Sequence, residues 1–347
     1  MPGITDMNAT NELGQAPRVY GLLMRFATYE LPYGAAERCG VVAGDLIYPL
    51  PEGTTLLDLI DAGPAALLAA GAAAVTATAA GPVPLSGVRL LPPLRPRSIR
   101  DFVAFEAHVE GVVRAQEGLA QVPPPWYEAP AFYFTNPHAC VGAHDDVAMF
   151  PGSDRFDFEC EVAAVLGRAG RDLTPEEAEA AIVGYTIFND WSARDIQQRE
   201  GRLPFGFAKG KDGAHTLGPW LVTADELAQY RTGDGYLDLT MTIELNGRVL
   251  GRDSLASASW TFGELVAYAA AGAEVAAGDV FGSGTCGGGC LAEIWGRAGR
   301  REPPPLSPGD VVTMTVEGIG TISNRVVAGK PDAWLPPARP RARGPRH

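Results

Sequence analysis

The stretch Asp157 to Gly167, "DFECEVAAVLG", constrains the fold more than any other part of the chain. Its apolar pattern has period two, that of a strand, with Phe158, Cys160, Val162 and Ala164 on one face. Asp157, Glu159 and Glu161 share the other face, which Ala163 and Val165 continue as an apolar one. A solvated acidic face is the plain account of like charges spaced two apart. The apolar continuation argues instead that the acids stand at the mouth of something buried. Converging carboxylates there are stabilised by a divalent cation, and all-oxygen ligation favours Mg²⁺, Mn²⁺ or Ca²⁺ over zinc.

More strands follow the same logic. "IVGYTIFND", "YLDLTMTIELNGRVLG" and "VVTMTVEGIGTISNRVV" read as extended segments, and Asn246–Gly247 between apolar runs marks a hairpin. Helices are fewer: "TTLLDLIDAG", the Ala-rich stretch after it, and "LTPEEAEAAI", where Thr174, Pro175 and Glu177 stand in capping-box positions. With 42 Gly and 29 Pro the chain is turn-rich. The fold class expected is β-rich α+β. At 347 residues two domains are expected. Residues 1–17 are polar and read as disordered, and residues 18–94 as a small β-rich N-terminal unit. A boundary falls at the proline cluster Pro92 to Pro96, and 95–336 form the larger unit. The last residues, 337–347, form a basic mobile tail.

A formal charge of -13 argues against nucleic acid as a partner, because phosphate binding needs clustered cations. The longest apolar stretch, Ala65 to Gly81, is too short to span a membrane. No basic start precedes an apolar run, so a cytoplasmic protein with no membrane partner is expected. The five cysteines, Cys39, Cys140, Cys160, Cys286 and Cys290, form no regular framework and read as reduced thiols. No second Cys/His pair at finger spacing accompanies Cys286 and Cys290, which argues against zinc there.

The chemistry gathers in "FNDWSARDIQ", Phe188 to Gln197. Asp190 ends a strand and is a further candidate ligand. Arg194 and Gln197 follow at four and seven positions, one face once the chain turns helical. Capping accounts for Asp190 and a surface ion pair for Arg194 equally well. Neither accounts for "KGKDG", where Lys209 and Lys211 lie among glycines, an arrangement suited to an anionic ligand. His108, between Glu106 and Glu110 in an amphipathic stretch, reads alone as a structural or solvated histidine. The turn "SGT", Ser283 to Thr285, can bind an anion through backbone N–H groups, and Glu293 follows it.

Taken together, "DFECEV", "FNDWSARDIQ", "AKGKDG" and "GSGT" occur in an order that resembles the fumarylacetoacetate hydrolase family over nearly all of residues 95–330. The resemblance implies a mixed β-sandwich roll preceded by a small N-terminal barrel-like domain. It implies metal ligation by Asp101, Glu159, Glu161 and Asp190, with Mg²⁺ first among the metals, and a catalytic His108 oriented by Glu293. Arg194, Gln197 and Lys211 match residues that hold substrate oxygens, and Tyr133 and Thr285 match further substrate contacts. The activity implied is hydrolysis of a carbon–carbon bond in a β-diketo acid such as fumarylacetoacetate or an acylpyruvate, with a small-molecule diketo or keto acid as partner, by a homodimer. Decarboxylation of an oxaloacetate-like acid, hydration or isomerisation is the alternative, and a non-catalytic metal- or ligand-binding protein the third. His215 departs from the family where a small hydroxyl residue is usual, and Cys286 and Cys290 are unexpected. These departures fall where substrate selection is expected to be decided.

Overall fold

The computed structural model describes residues 24–34, 36–76, 81–117, 121–203, 206–330 and 338–339. The 1–17 segment and all but two residues of the basic tail lie outside that range. The fold is mixed α+β and sheet-rich. Twelve strands form one sheet. From one edge its main path runs through Val83–Pro84, Leu46–Pro49, Arg38–Ala43 and Arg25–Glu30, then His215–Thr223 and Ile182–Asp190. It continues through Cys160–Leu166, Val280–Gly282, Ile99–Phe102 and Phe132–Thr135. Neighbours on this path are antiparallel except Val280–Gly282 and Ile99–Phe102, which run parallel.

The strand Ile182–Asp190 is buried at every position, which is why its sequence is continuously apolar rather than alternating. Five further strands form a second sheet in the order Arg248–Ser254, Thr240–Leu245, Val311–Val316, Gly320–Val327, Val147–Ala148. One apolar cluster joins Val162, Ala164 and Ile187 of the large sheet to Met241, Ile243, Met314 and Ile322 of the small one. On the opposite face Ala163, Val165 and Phe188 pack with Leu56, Ile60 and Leu67 of the helices Leu56–Asp61 and Pro64–Thr76. The two faces read from "DFECEVAAVLG" therefore enter two separate cores.

The N-terminal strands differ from expectation. They form no closed barrel among the described residues: Phe26 pairs with Leu221, so Arg25–Glu30 and its hairpin partners extend the large sheet. An apolar strand shows in its sequence that an edge needs a partner, but not which strand supplies it. Leu237, Leu239, Met241 and Ile243 are buried in the chain's own core, so these side chains offer no surface to a second copy. No helix among the described residues is long and apolar enough to cross a membrane. All five cysteines are free.

Local signals hold where the chemistry is local. Thr174 and Glu177 close a capping box on the helix Pro175–Glu179. Asn246 and Gly247 take φ of 54° and 76°, the paired positive values of a two-residue hairpin turn. A Cβ on Gly247 meets nothing within 4 Å, so replacing it strains only the backbone. Gly247→Ala is expected to cost roughly 1–2 kcal/mol and to lower the thermal midpoint measurably. An unchanged midpoint in a thermal scan would show that the turn is not held in this conformation.

Candidate active site

Strand register brings the acids together. Asp101 lies opposite Tyr133 on one side and Gly282 on the other, and Gly282 lies opposite Ala163, two residues beyond Glu161. A Cβ at Gly282 would stand 2.4 Å from Asp101 Oδ1 and 2.9 Å from Glu161 Oε2. Only glycine leaves room for both carboxylates. The Gly284 N–H, at φ +79°, donates to Glu161 Oε2 at 2.9 Å, and the Thr285 hydroxyl donates to Oε1 at 3.4 Å. The donors of the "SGT" turn thus meet the chain's own Glu161 carboxyl.

Oxygens of Asp101, Glu159 and Glu161, all buried, lie within 4.8 Å of one another. Asp190 stands beside them, its Oδ2 accepting from the Tyr133 hydroxyl and from the Lys211 ammonium. Lys211 bridges Asp190 to Glu159, and Arg194 Nη1 lies 2.7 Å from Glu159 Oε1. Glu159 and Asp190 therefore each have a cation, whereas Asp101 and Glu161 have none in direct contact.

The titration of these groups follows that division. Burial, reinforced by the Asp190 charge, pushes the Asp101 carboxyl up to about 8. Burial and the neighbouring Asp101 push Glu161 well above the usual carboxylate range. Burial also acts to raise Glu159, but Lys211 and Arg194 outweigh it and hold that carboxyl below its ordinary value. At Asp190, Lys211 and His215 likewise outweigh burial and depress it. Asp101 Oδ1 is buried without a hydrogen-bond partner. Clustered hard oxygens, two of them on carboxyls that resist ionisation and one left orphaned, suit a divalent cation, whose charge would displace the protons.

His108 faces this cluster from the helix Glu106–Glu117. Its Nε2 is 4.0 Å from Glu159 Oε1 and its Nδ1 is 3.6 Å from Glu293 Oε2. Both separations are too long for hydrogen bonds. Glu293 is anchored through Oε1, which accepts from the Gly288 N–H at 2.8 Å and pairs with Arg297 at 2.5 Å. A Cβ at Gly111 would stand 2.4 Å from Glu293 Cγ, so glycine lets the two helices approach.

A pocket of about 350 Å³ opens onto this arrangement. Asp101, His108, Tyr133, Glu159, Arg194, Gln197, Lys211 and Thr285 all line it. Glu161, Asp190 and Glu293 stand one layer behind. The rest of the wall is mainly apolar, including Val109, Val112, Val113, Phe132 and Phe207. Sequence reasoning missed this wall, although in "HVEGVV" Val112 follows His108 by four and Val109 precedes Val112 and Val113 by three and four, the spacing of one helical stripe.

Other details differ from the sequence reading. Asp157 does not join the acid cluster, because period two breaks at Phe158 and Glu159, between the strands Phe156–Asp157 and Cys160–Leu166. Its Oδ1 accepts from the Leu291 N–H at 2.8 Å, capping the helix Leu291–Ala298. Its Oδ2 accepts from the Ala292 N–H at 2.9 Å and from Arg194 Nε at 2.8 Å. Asp190 remains strand, and the helix begins only at Arg194, so Arg194 and Gln197 alone share a helical face. Arg194 Nη1 donates to Gln197 Oε1 at 3.1 Å.

His215, Cys286 and Cys290 are fully buried and none lines the pocket, so they do not meet substrate directly. His215 backs Asp190. Its Nδ1 is 2.9 Å from Asp190 Oδ1, yet neither atom finds an aligned hydrogen bond, so this is a close polar contact and not a hydrogen bond. Its Nε2 lies 2.8 Å from the Thr135 hydroxyl.

The raised carboxyls make stability depend on pH. With its folded value near 8 against an ordinary 3.8, Asp101 favours the folded state fully below about pH 4. That contribution is lost as pH rises through about 8. The cation-free protein should therefore lose thermal stability over that window, and saturating Mg²⁺ or Mn²⁺ should suppress the loss. Identical pH slopes with and without cation would count against cation binding at these groups.

The same framework occurs in known proteins. The family model described as fumarylacetoacetate (FAA) hydrolase C-terminal matches residues 97–327. Human mitochondrial oxaloacetate tautomerase FAHD2A is 29% identical over 243 residues, covering 68% of this chain and 72% of that protein. Fumarylacetoacetate hydrolase from Exiguobacterium antarcticum superposes with a TM-score of 0.67 at 25% identity, over 88% of this chain and 99% of that one. Maleylpyruvate hydrolase from Sphingobium sp. SYK-6, solved with manganese (II) ion and pyruvate, gives 0.65 at 21% identity, covering 88% and 100%, a likeness of fold. Because the family match spans every strand and helix that carries the site, from Asp101 to Glu293, the chain belongs to the fumarylacetoacetate hydrolase family.

Proposed function

We propose that the chain hydrolyses a carbon–carbon bond in a β-diketo acid, with Asp101, Glu159 and Glu161 holding a divalent cation and Asp190 beside them. The observation that carries this reading is His108, a buried imidazole between Glu293 and Glu159 that faces the carboxylate cluster across the pocket. A bound Mg²⁺ or Mn²⁺ supplies Lewis-acid polarisation of the substrate's keto and carboxylate oxygens. His108 Nε2 takes a proton from water as the water oxygen bonds to the distal keto carbon. The bond to the carbon between the two carbonyls then breaks, the electron pair stays on that carbon, and His108 returns the proton to it. Glu293, at the Nδ1 side, stabilises the charged ring. Arg194, Lys211 and Gln197 present donors to substrate oxygens, and the Tyr133 and Thr285 hydroxyls border the same space.

The apolar wall narrows the substrate. Among the described residues, Arg194 and Lys211 are the only lysine or arginine lining the pocket, and both stand at its carboxylate end, on Glu159. A second carboxylate at the far end of a substrate would meet Val109, Val112, Val113, Phe132 and Phe207 with no cation. The acyl group is therefore read as alkyl or aryl.

A second reading is keto–enol tautomerisation, favoured by relatives named oxaloacetate tautomerase. There His108 would move a proton at carbon without activating water. Oxaloacetate bears two carboxylates, which fits the apolar wall less well, so hydrolysis is placed first.

His108→Ala should lower cleavage of the best diketo acid by on the order of 10²–10⁴-fold while affinity for Mg²⁺ or Mn²⁺ stays nearly unchanged. Glu293→Gln should give a smaller loss. Release of the keto-acid product, measured against loss of the enol absorbance, separates hydrolysis from tautomerisation. Wild-type turnover in His108→Ala would return His108 to a structural role. Chelation should inactivate the enzyme and added Mg²⁺ or Mn²⁺ restore it, whereas Glu161→Ala should lose cation binding and activity together. Full activity after exhaustive chelation would remove the cation from the mechanism.

A further inference from the structure

Beside the hard-oxygen cluster lies a second group of ligating atoms of different chemistry. His108, Cys290 and Glu293, all buried, offer one imidazole nitrogen, one sulfur and one carboxylate oxygen within 4.8 Å of one another. Cys290 Sγ is 3.7 Å from His108 Nδ1, and Glu293 Oε2 is 3.6 Å from the same nitrogen. Zinc binds sulfur at about 2.3 Å, imidazole nitrogen at about 2.0–2.1 Å and carboxylate oxygen at about 2.0–2.2 Å. A tetrahedral ion with those bonds spaces a sulfur–nitrogen pair by roughly 3.5 Å and a nitrogen–oxygen pair by roughly 3.4 Å. The side chains already stand within a few tenths of an ångström of both separations.

Glu293 Oε2 is an independent pointer. Glu293 is fully buried, its Oε1 is satisfied by Gly288 and Arg297, and its Oε2 has no hydrogen-bond partner. The orphaned oxygen lies on the His108 side, and no direct contact there is short enough to satisfy it. Sequence spacing hides the set, because Cys290 caps one helix, His108 lies in another and the two are 182 residues apart.

We propose that His108 Nδ1, Cys290 Sγ and Glu293 Oε2 form a site for a thiophilic divalent cation, zinc in class, separate from the oxygen site of Asp101, Glu159 and Glu161. One neutral imidazole, one thiolate and one carboxylate balance the ion's two charges. Burial holds the Cys290 thiol well above its ordinary value, so the metal displaces the thiol proton to solvent on binding. The Glu293 N–H, 3.4 Å from Cys290 Sγ at the helix start, is positioned to support the thiolate. The ion enters by the pocket that His108 lines. Binding stands apart from the catalytic reading, but its consequence rests on it: a metal on Nδ1 removes His108 from base duty, so zinc inhibits an enzyme that Mg²⁺ or Mn²⁺ supports.

The test uses the full-length protein saturated with Mg²⁺ and titrated with cobalt(II), a coloured stand-in for zinc. The wild type should develop a near-ultraviolet thiolate-to-cobalt charge-transfer band. Cys290→Ser, which keeps a helix-capping oxygen, should lose that band and weaken zinc binding by at least the 10–100-fold typical even of an outer-shell loss. Its thermal midpoint should match the wild type, and its turnover should become correspondingly less sensitive to zinc. No thiolate band in the wild type, or the same band in Cys290→Ser, would overturn the site. Loss of the band with unchanged zinc inhibition would overturn the inhibitory role and leave the Mg²⁺-supported reading intact.

Discussion

The burial of four carboxylates in one place is the constraint on which the site depends. Asp101, Glu159, Glu161 and Asp190 are each at most 4% exposed. Lys211 and Arg194 supply two positive charges, and both lean toward Glu159, with Lys211 also on Asp190. Asp101 and Glu161 are left with protons, one Gly N–H and the hydroxyls of Tyr133 and Thr285 for company. An uncompensated buried charge is costly, so such groups stay neutral until a cation arrives. Much of the local structure is arranged around that imbalance. Gly282 makes room for the acids, the "SGT" turn holds Glu161, and Asp157 clamps Arg194 from behind while capping the helix that carries Glu293.

The fold supplies rigidity where precision matters. Asp101, Glu161 and Asp190 lie on strands of the large sheet that are paired on both sides, where register fixes their Cα positions to within a residue. His108 and Glu293 come from two helices brought close by Gly111. The apolar wall belongs partly to the His108 helix, so one element sets both the position of the imidazole and the shape of the space beside it.

Much of this was legible in the sequence. The spacing of Glu159 and Glu161 in "DFECEVAAVLG" put the two acids on one side, where the structure also brings them together, because side chains two apart along an extended chain point the same way. Asn246–Gly247 and Thr174–Glu177 were legible because turns and caps depend on neighbours within a few residues. The pairing of Arg25–Glu30 with His215–Thr223 was not, since a strand's sequence does not name its partner. Asp157 was misplaced for a related reason: its ligands, the N–H groups of Leu291 and Ala292, lie more than a hundred residues away. His215 was visible as a departure, but only the structure puts it behind Asp190 rather than in the pocket.

The central claim is that Asp101 and Glu161 hold protons that a divalent cation displaces. Calorimetric titration of Mn²⁺ or Mg²⁺ near neutral pH, repeated in buffers of different ionisation enthalpy, counts those protons directly. The account predicts binding accompanied by release of about one proton or more, with the release diminished in Asp101→Asn and Glu161→Gln. Tight binding whose measured heat is independent of the buffer would contradict it, because the carboxyls would then already be ionised and the imbalance that organises the site would not exist.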